Sequence, residues 1–159
     1  MPLFPDIDPN AIFLSRTDSE HCLSSFAAFP FYLDGREWAT IEHYFQANKF
    51  DDEAYKERVR VAVSPKKARQ LGRAKLAKRK IRKDWRDVKT TIMTRAVYTC
   101  ARTHETLQKE LSESGQLPLF ESNNYDYYWG CGRDRRGQNH YGKVLMQVRN
   151  KLNEEANSE

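Results

Sequence analysis

The sequence predicts an α+β fold, mostly helical, in one domain over residues 1–159 with a small antiparallel sheet. Three observations carry this. Apolar residues recur at helical spacing in several separate stretches, a two-residue turn signal joins two short strand-like runs, and strands and helices nowhere alternate regularly. No linker or internal repeat divides the 159 residues. A chain of that length buries about two-thirds of its unfolded surface in one core.

The first ten residues hold three prolines and read as an irregular lead-in. Phe29–Leu33 and Arg36–Trp38 flank Asp34-Gly35, a two-residue hairpin signal. Thr40 caps a helix expected to reach Phe50, with Ile41, Tyr44 and Phe45 turned inward. Asp51 or Asp52 caps a second helix through Val61. Ser64-Pro65 starts a third, with serine as cap and proline at the first helical position, and Gly72 is its expected stop. Asp84 is expected to cap a longer helix to Ala101, along which Val88, Ile92 and Ala96 recur. Another helix is expected from Thr103 to near Gly115, then a strand over Leu117–Glu121. A turn-rich, aromatic stretch over Ser122–Gln138 precedes a last helix from Tyr141 to Glu154.

With 39% hydrophobic and 31% charged residues the composition is that of a globular protein. No run approaches the roughly 18 apolar residues of a membrane span. No signal peptide is evident, and the expected location is the cytoplasm. Cys22, Cys100 and Cys131 are odd in number and far apart, and the four histidines lack ligand spacing, so neither a disulfide framework nor a metal site is expected. Lys66 to Lys83 holds ten Lys or Arg and no acid; against a net charge of +5, that leaves −5 on the rest. Such asymmetry points to an anionic partner, either a phosphate-bearing small molecule or a nucleic acid along the run, or else to a solvated helical face.

Two glycine patterns fail as nucleotide motifs. Gly137–Lys143 fits a phosphate-binding loop in spacing, but Val144 replaces the residue that would hold magnesium. Gly130-Cys-Gly132 meets Arg135 where a third glycine belongs.

Several fragments in order resemble the YbiA-like, or NADAR, family: Leu23-Ser-Ser-Phe26, Phe29-Pro-Phe31, Asp34-Gly-Arg-Glu-Trp38 and Ile41-Glu-His-Tyr-Phe-Gln-Ala-Asn-Lys-Phe50. Trp85 with Lys89 and Met93 follows, then Asp126-x-x-Trp129-Gly-x-Gly132, and finally Gly137-x-Asn139-x-x-Gly142-Lys-x-Leu-Met146 with Arg149. The match spans about residues 13–152. One departure is Ser25, where the family commonly has asparagine. The resemblance implies hydrolysis of an N-glycosidic bond without a cofactor. One branch of the family acts on phosphoribosylamino-pyrimidines of the riboflavin pathway and releases ribose 5-phosphate. Another removes ADP-ribose from guanine in nucleic acid.

Breaking such a bond builds positive charge on the sugar and negative charge on the departing base, so the site needs a carboxylate, a donor and a nucleophile or oriented water. Glu42, Gln46 and Lys49 lie on one helical stripe at the rim of the core. Glu42 is placed to stabilise the cation or act as base, Gln46 to hold a sugar hydroxyl and Lys49 to meet a phosphate; the alternative is an exposed polar face. Lys49 with a lowered pKa can instead attack the anomeric carbon and form an imine. With the resemblance, Glu42, Lys49 and Asp126 become the catalytic candidates. Phe26, Gln46, Trp85, Trp129, Gly130, Asn139 and Gly142 become the substrate-binding ones, with Trp85 as a stacking wall and the glycines near a phosphate. A non-catalytic nucleotide binder remains the alternative of another class.

Overall fold

The computed structural model describes residues 6–158, so Pro2 and Pro5 of the expected lead-in lie outside the described residues. The chain forms β1 (Ile12–Leu14), β2 (Phe31–Leu33), β3 (Arg36–Trp38), α1 (Ile41–Ala47), α2 (Glu53–Arg60) and α3 (Pro65–Arg73). A 3₁₀ helix (Lys75–Lys80) leads to α4 (Trp85–Thr103), α5 (Glu105–Glu113), β4 (Leu119–Glu121) and α6 (His140–Asn157). Among the described residues no helix is long and apolar enough to cross a membrane.

Asp34 and Gly35 both take positive φ, 54° and 79°, the geometry that turns β2 tightly into β3. The fold is mainly helical with this small antiparallel sheet, but a second pair departs from expectation. β1 pairs in parallel with β4, Ile12 opposite Leu119. Three residues leave too short a pattern to read as a strand.

Caps set most helix starts. Thr40 accepts from His43 N, Asp52 from Tyr55 N and Ser64 from Lys67 N. Asp84 precedes α4 without a capping bond and instead binds Arg82 at 2.6 Å. Helix α1 stops at Ala47 because the next residues bond elsewhere: Lys49 O accepts from Arg82 N at 2.7 Å and Phe50 bridges Ile81. Gly72 is not a stop but an interior residue of α3. α5 begins at Glu105, since Thr103 still belongs to α4.

Every residue of α1 is buried, with α2, α3, α4 and β3 packed around it. Tyr44 meets Trp38 edge-on at 5.1 Å, and Phe45 meets Trp129 edge-on at 5.3 Å. A helix so buried satisfies most of its polar side chains internally. His43 does so with Thr40 at 2.8 Å and the carbonyl of Ala62 at 2.9 Å. That carbonyl can only accept, so Nε2 carries the proton and Nδ1 accepts from the Thr40 hydroxyl. Burial lowers the His43 pKa and keeps the ring neutral.

Candidate active site

The C-terminal half of α1 opens on a cavity of about 210 Å³. Trp85 from the start of α4 and Trp129 from the loop before α6 wall it, with Phe45 between them; the Trp85 and Phe45 rings are 5.1 Å apart. Five cations line it (Arg16, Lys49, Arg69, Arg73 and Lys89) against one carboxylate, Asp126. A cavity so lined is electropositive and walled by aromatic faces.

Glu42 does not line this cavity. It is fully buried one layer behind, with both oxygens engaged: Oε2 accepts from Arg16 at 2.9 Å and Ser25 at 2.7 Å, and Oε1 from Gln46 at 2.7 Å. Burial pushes the carboxyl pKa up, but Arg16, Gln46 and Ser25 together outweigh it and hold it below its usual value. The stripe expected at the rim is therefore split, with Gln46 and Lys49 at the cavity and Glu42 beneath. Ser25, the departure from the family pattern, supplies a hydroxyl to that carboxylate. Arg16 uses only Nη1 on Glu42 among the described residues, and its guanidinium lies 5.7 Å from the rings of both Phe45 and Trp129. Its other guanidinium N–H groups make no hydrogen bond among the described residues.

Gln46 sits against Gly72, where any side chain would collide with its amide. The amide nitrogen is committed to Glu42, and Oε1 has no hydrogen-bond partner. Gly72 thus keeps room for Gln46, which explains a glycine within a helix.

Lys49 is half-buried, and among the described residues no carboxylate lies within ion-pair distance of it. Burial lowers its pKa to about 8; Glu42 opposes the shift, while Arg16, Arg73 and Arg69 add to it. A fraction of the amine is neutral near physiological pH, which a nucleophile requires.

Asp126 holds its loop by accepting from Tyr128 N at 3.0 Å and Trp129 N at 2.8 Å, both on Oδ1. It is a turn cap and a wall of the cavity at once. Tyr125 and Tyr127 point outward, exposed by 90% and 46%, and stack on nothing in the cavity. Tyr128 instead supports Lys89, whose Nζ lies 3.6 Å from the ring centroid.

Four expected binding residues lie elsewhere. Phe26 lines a neighbouring groove of about 520 Å³ with Lys66. A side chain at Gly130 would strike Glu121, and one at Gly142 would strike Leu119 O, so these glycines serve packing. Asn139 is buried and ties Glu121 N and Leu119 O at 2.9 Å each. At the start of α6, His140 N and Tyr141 N are taken up by the carbonyls of Tyr128 and Trp129, and Lys143 N by that of Asn139.

The basic run divides. Arg69 and Arg73, one turn apart on α3, reach the cavity, whereas Lys80 pairs with Asp52 and Arg82 with Asp84. Arg16, Arg69 and Arg73 were not among the expected site residues. Of these, the i, i+4 spacing after Ser64-Pro65 marks the α3 pair, while nothing local marks Arg16.

A model of the NADAR domain matches residues 12–153. N-glycosidase YbiA of Escherichia coli (strain K12) is 39% identical over 140 residues, 88% of this chain and 86% of that protein. Riboflavin biosynthesis protein VVA0006 of Vibrio vulnificus is 33% identical over 146 residues, 91% of this chain and 39% of its own length. The NMR structure of E. coli YbiA superposes with a TM-score of 0.82 at 34% identity, covering 100% of this chain and 97% of that one.

Proposed function

The chain belongs to the NADAR domain family, and from that membership we propose that it is an N-glycosidase acting on a phosphoribosylamino-pyrimidine of the riboflavin pathway, releasing ribose 5-phosphate. Lys49 carries the reading. An unpaired lysine with a pKa near 8, set between an indole wall and a ring of arginines, suits attack on the anomeric carbon of an anionic ribosyl substrate.

Placement supports a role for each residue. Trp85 stacks on the base. Arg69 and Arg73 take the phosphate, whose bidentate recognition suits guanidinium groups. Asp126, the one carboxylate at the cavity among the described residues, faces the positive charge that grows on the sugar. Glu42 acts through Arg16 and Gln46, fixing both rather than touching substrate.

The test is product release followed by mass spectrometry, with the phosphoribosylamino-pyrimidine generated in situ. Ribose 5-phosphate should appear with the native chain and not with Lys49→Ala. Its absence with the native chain rejects this substrate. A second reading, hydrolysis of ADP-ribosylated guanine in DNA or a nucleotide, is favoured by the groove beside the cavity. Lys66 and Gln70 line it together with Arg69 and Arg73, extending the cationic wall beyond one phosphate. Release of ADP-ribose in place of ribose 5-phosphate would select it.

A further inference from the structure

The departing base must take a proton, because breaking its bond to the sugar leaves the electron pair on nitrogen. Few groups at the cavity can give one. Arginine does not titrate in a protein, a lysine that attacks must already be neutral, and Asp126 spends Oδ1 on two backbone N–H groups. Lys89 remains. It stands one turn after Trp85 on α4, so its ammonium shares a helix face with the indole.

Its position is fixed by a ring rather than by a carboxylate. Nζ lies 3.6 Å from the Tyr128 centroid, and among the described residues it forms no ion pair. Tyr128 is braced in turn: its ring lies tilted against His140 at 4.2 Å and its hydroxyl hydrogen-bonds Thr90. A cation held over a ring keeps N–H groups free for another acceptor. The charged and titratable groups around it are Arg86 on its own helix, Asp126 on the loop and His140 at the start of α6.

We propose that Lys89 is the general acid that protonates the leaving base. This rests on the N-glycosidase reading with Lys49 as nucleophile. The C1′–N bond breaks, its electron pair stays on the base, and that nitrogen takes a proton from Lys89 Nζ. Lys49 Nζ bonds C1′ and sheds a proton, which restores the Lys89 ammonium. The C1′–O4′ bond then opens to an imine, a solvent proton capping O4′. One water hydrolyses the imine, returning that proton, the sugar phosphate and the free Lys49 amine. Burial, with Arg86 beside it, weakens the hold of Lys89 on its proton, while Asp126 opposes the shift.

Two reactions separate the roles. Free ribose 5-phosphate forms the Lys49 imine with no base to expel, and borohydride with intact-mass measurement reads it. Lys89→Arg, which keeps the charge, should label to within about twofold of the native chain, and Lys89→Met should do so once ribose 5-phosphate is saturating. Both should hydrolyse the phosphoribosylamino-pyrimidine about a hundredfold more slowly. Arginine keeps the charge and the ring contact but cannot give up a proton. If Lys89→Arg restores hydrolysis, or if labelling falls in step with hydrolysis, Lys89 is only a positioned charge and the proposal is overturned. If the native chain neither labels nor hydrolyses, the reading of Lys49 as nucleophile on this substrate has failed, and that result is distinct from a failure of Lys89 alone.

Discussion

Arg16 donates to Glu42 across 2.9 Å with both side chains almost wholly out of water, joining the segment after β1 to the central helix. Removing one partner of a buried pair leaves the other charge uncompensated. Glu42→Gln should therefore cost about 3 kcal/mol or more in denaturant unfolding near pH 7. The carboxyl is held below its usual value, so its contribution is full above the unfolded pKa of about 4.3 and is lost as pH falls through the lower folded value. The variant's unfolding midpoint should vary less over that acid range. A midpoint unchanged at pH 7 would remove Glu42 from its supporting role.

Lys49 sets the pH dependence of turnover. Attack needs the neutral amine, so kcat/KM should rise with pH through about 8, and with Lys89 as the acid it should fall again at higher pH as that ammonium loses its proton. Stability follows the same group. The folded chain holds that proton less tightly than the unfolded chain, so the penalty is present below pH 8 and is relieved as pH rises from about 8 towards 10.5. Lys49→Met should abolish turnover and flatten that part of the stability curve. A rate profile with no rise near 8 would argue for water as the nucleophile.

Gly72→Ala tests the space kept for Gln46. Helix propensity alone favours alanine by about 1 kcal/mol. The new methyl instead meets an amide already tied to Glu42, and overpacking costs about 1–3 kcal/mol. A lower melting temperature together with a raised KM is expected. A stabilised variant with native KM would show that Gln46 moves aside freely.

Asn139→Ala separates scaffold from binding. Two buried hydrogen bonds disappear, and alanine inherits a φ of 53°, for a loss of about 2–3 kcal/mol or more. At a temperature where the variant stays folded, KM should match the native value. A large rise in KM with stability intact would return Asn139 to the binding site.

The parts legible in the sequence were those with a local cause. Thr40, Asp52 and Ser64 announce helix starts through their own side chains, and Asp34-Gly35 fixes a turn through its own backbone. Lys49, Gln46, Trp85, Trp129 and Asp126, all named from short ordered fragments, line one cavity. What depends on distant partners stayed hidden. The β1–β4 pair joins segments over a hundred residues apart, and Arg16 reaches Glu42 from outside the helix. Asn139 and Gly142 look alike in sequence whether they hold a phosphate or a strand. Only the position of Leu119 decides between them.

Helix α1 has seven residues, all buried. A free helix so short does not persist in water, where about 12–15 residues are the practical minimum. The segment that presents Gln46 and leads to Lys49 therefore exists only when its neighbours have assembled around it. Loss of activity and loss of the whole fold should coincide on heating, with no partly opened form that still turns over. Amide protons of residues 44–47 should exchange with solvent only through complete unfolding, which makes them an internal gauge of global stability.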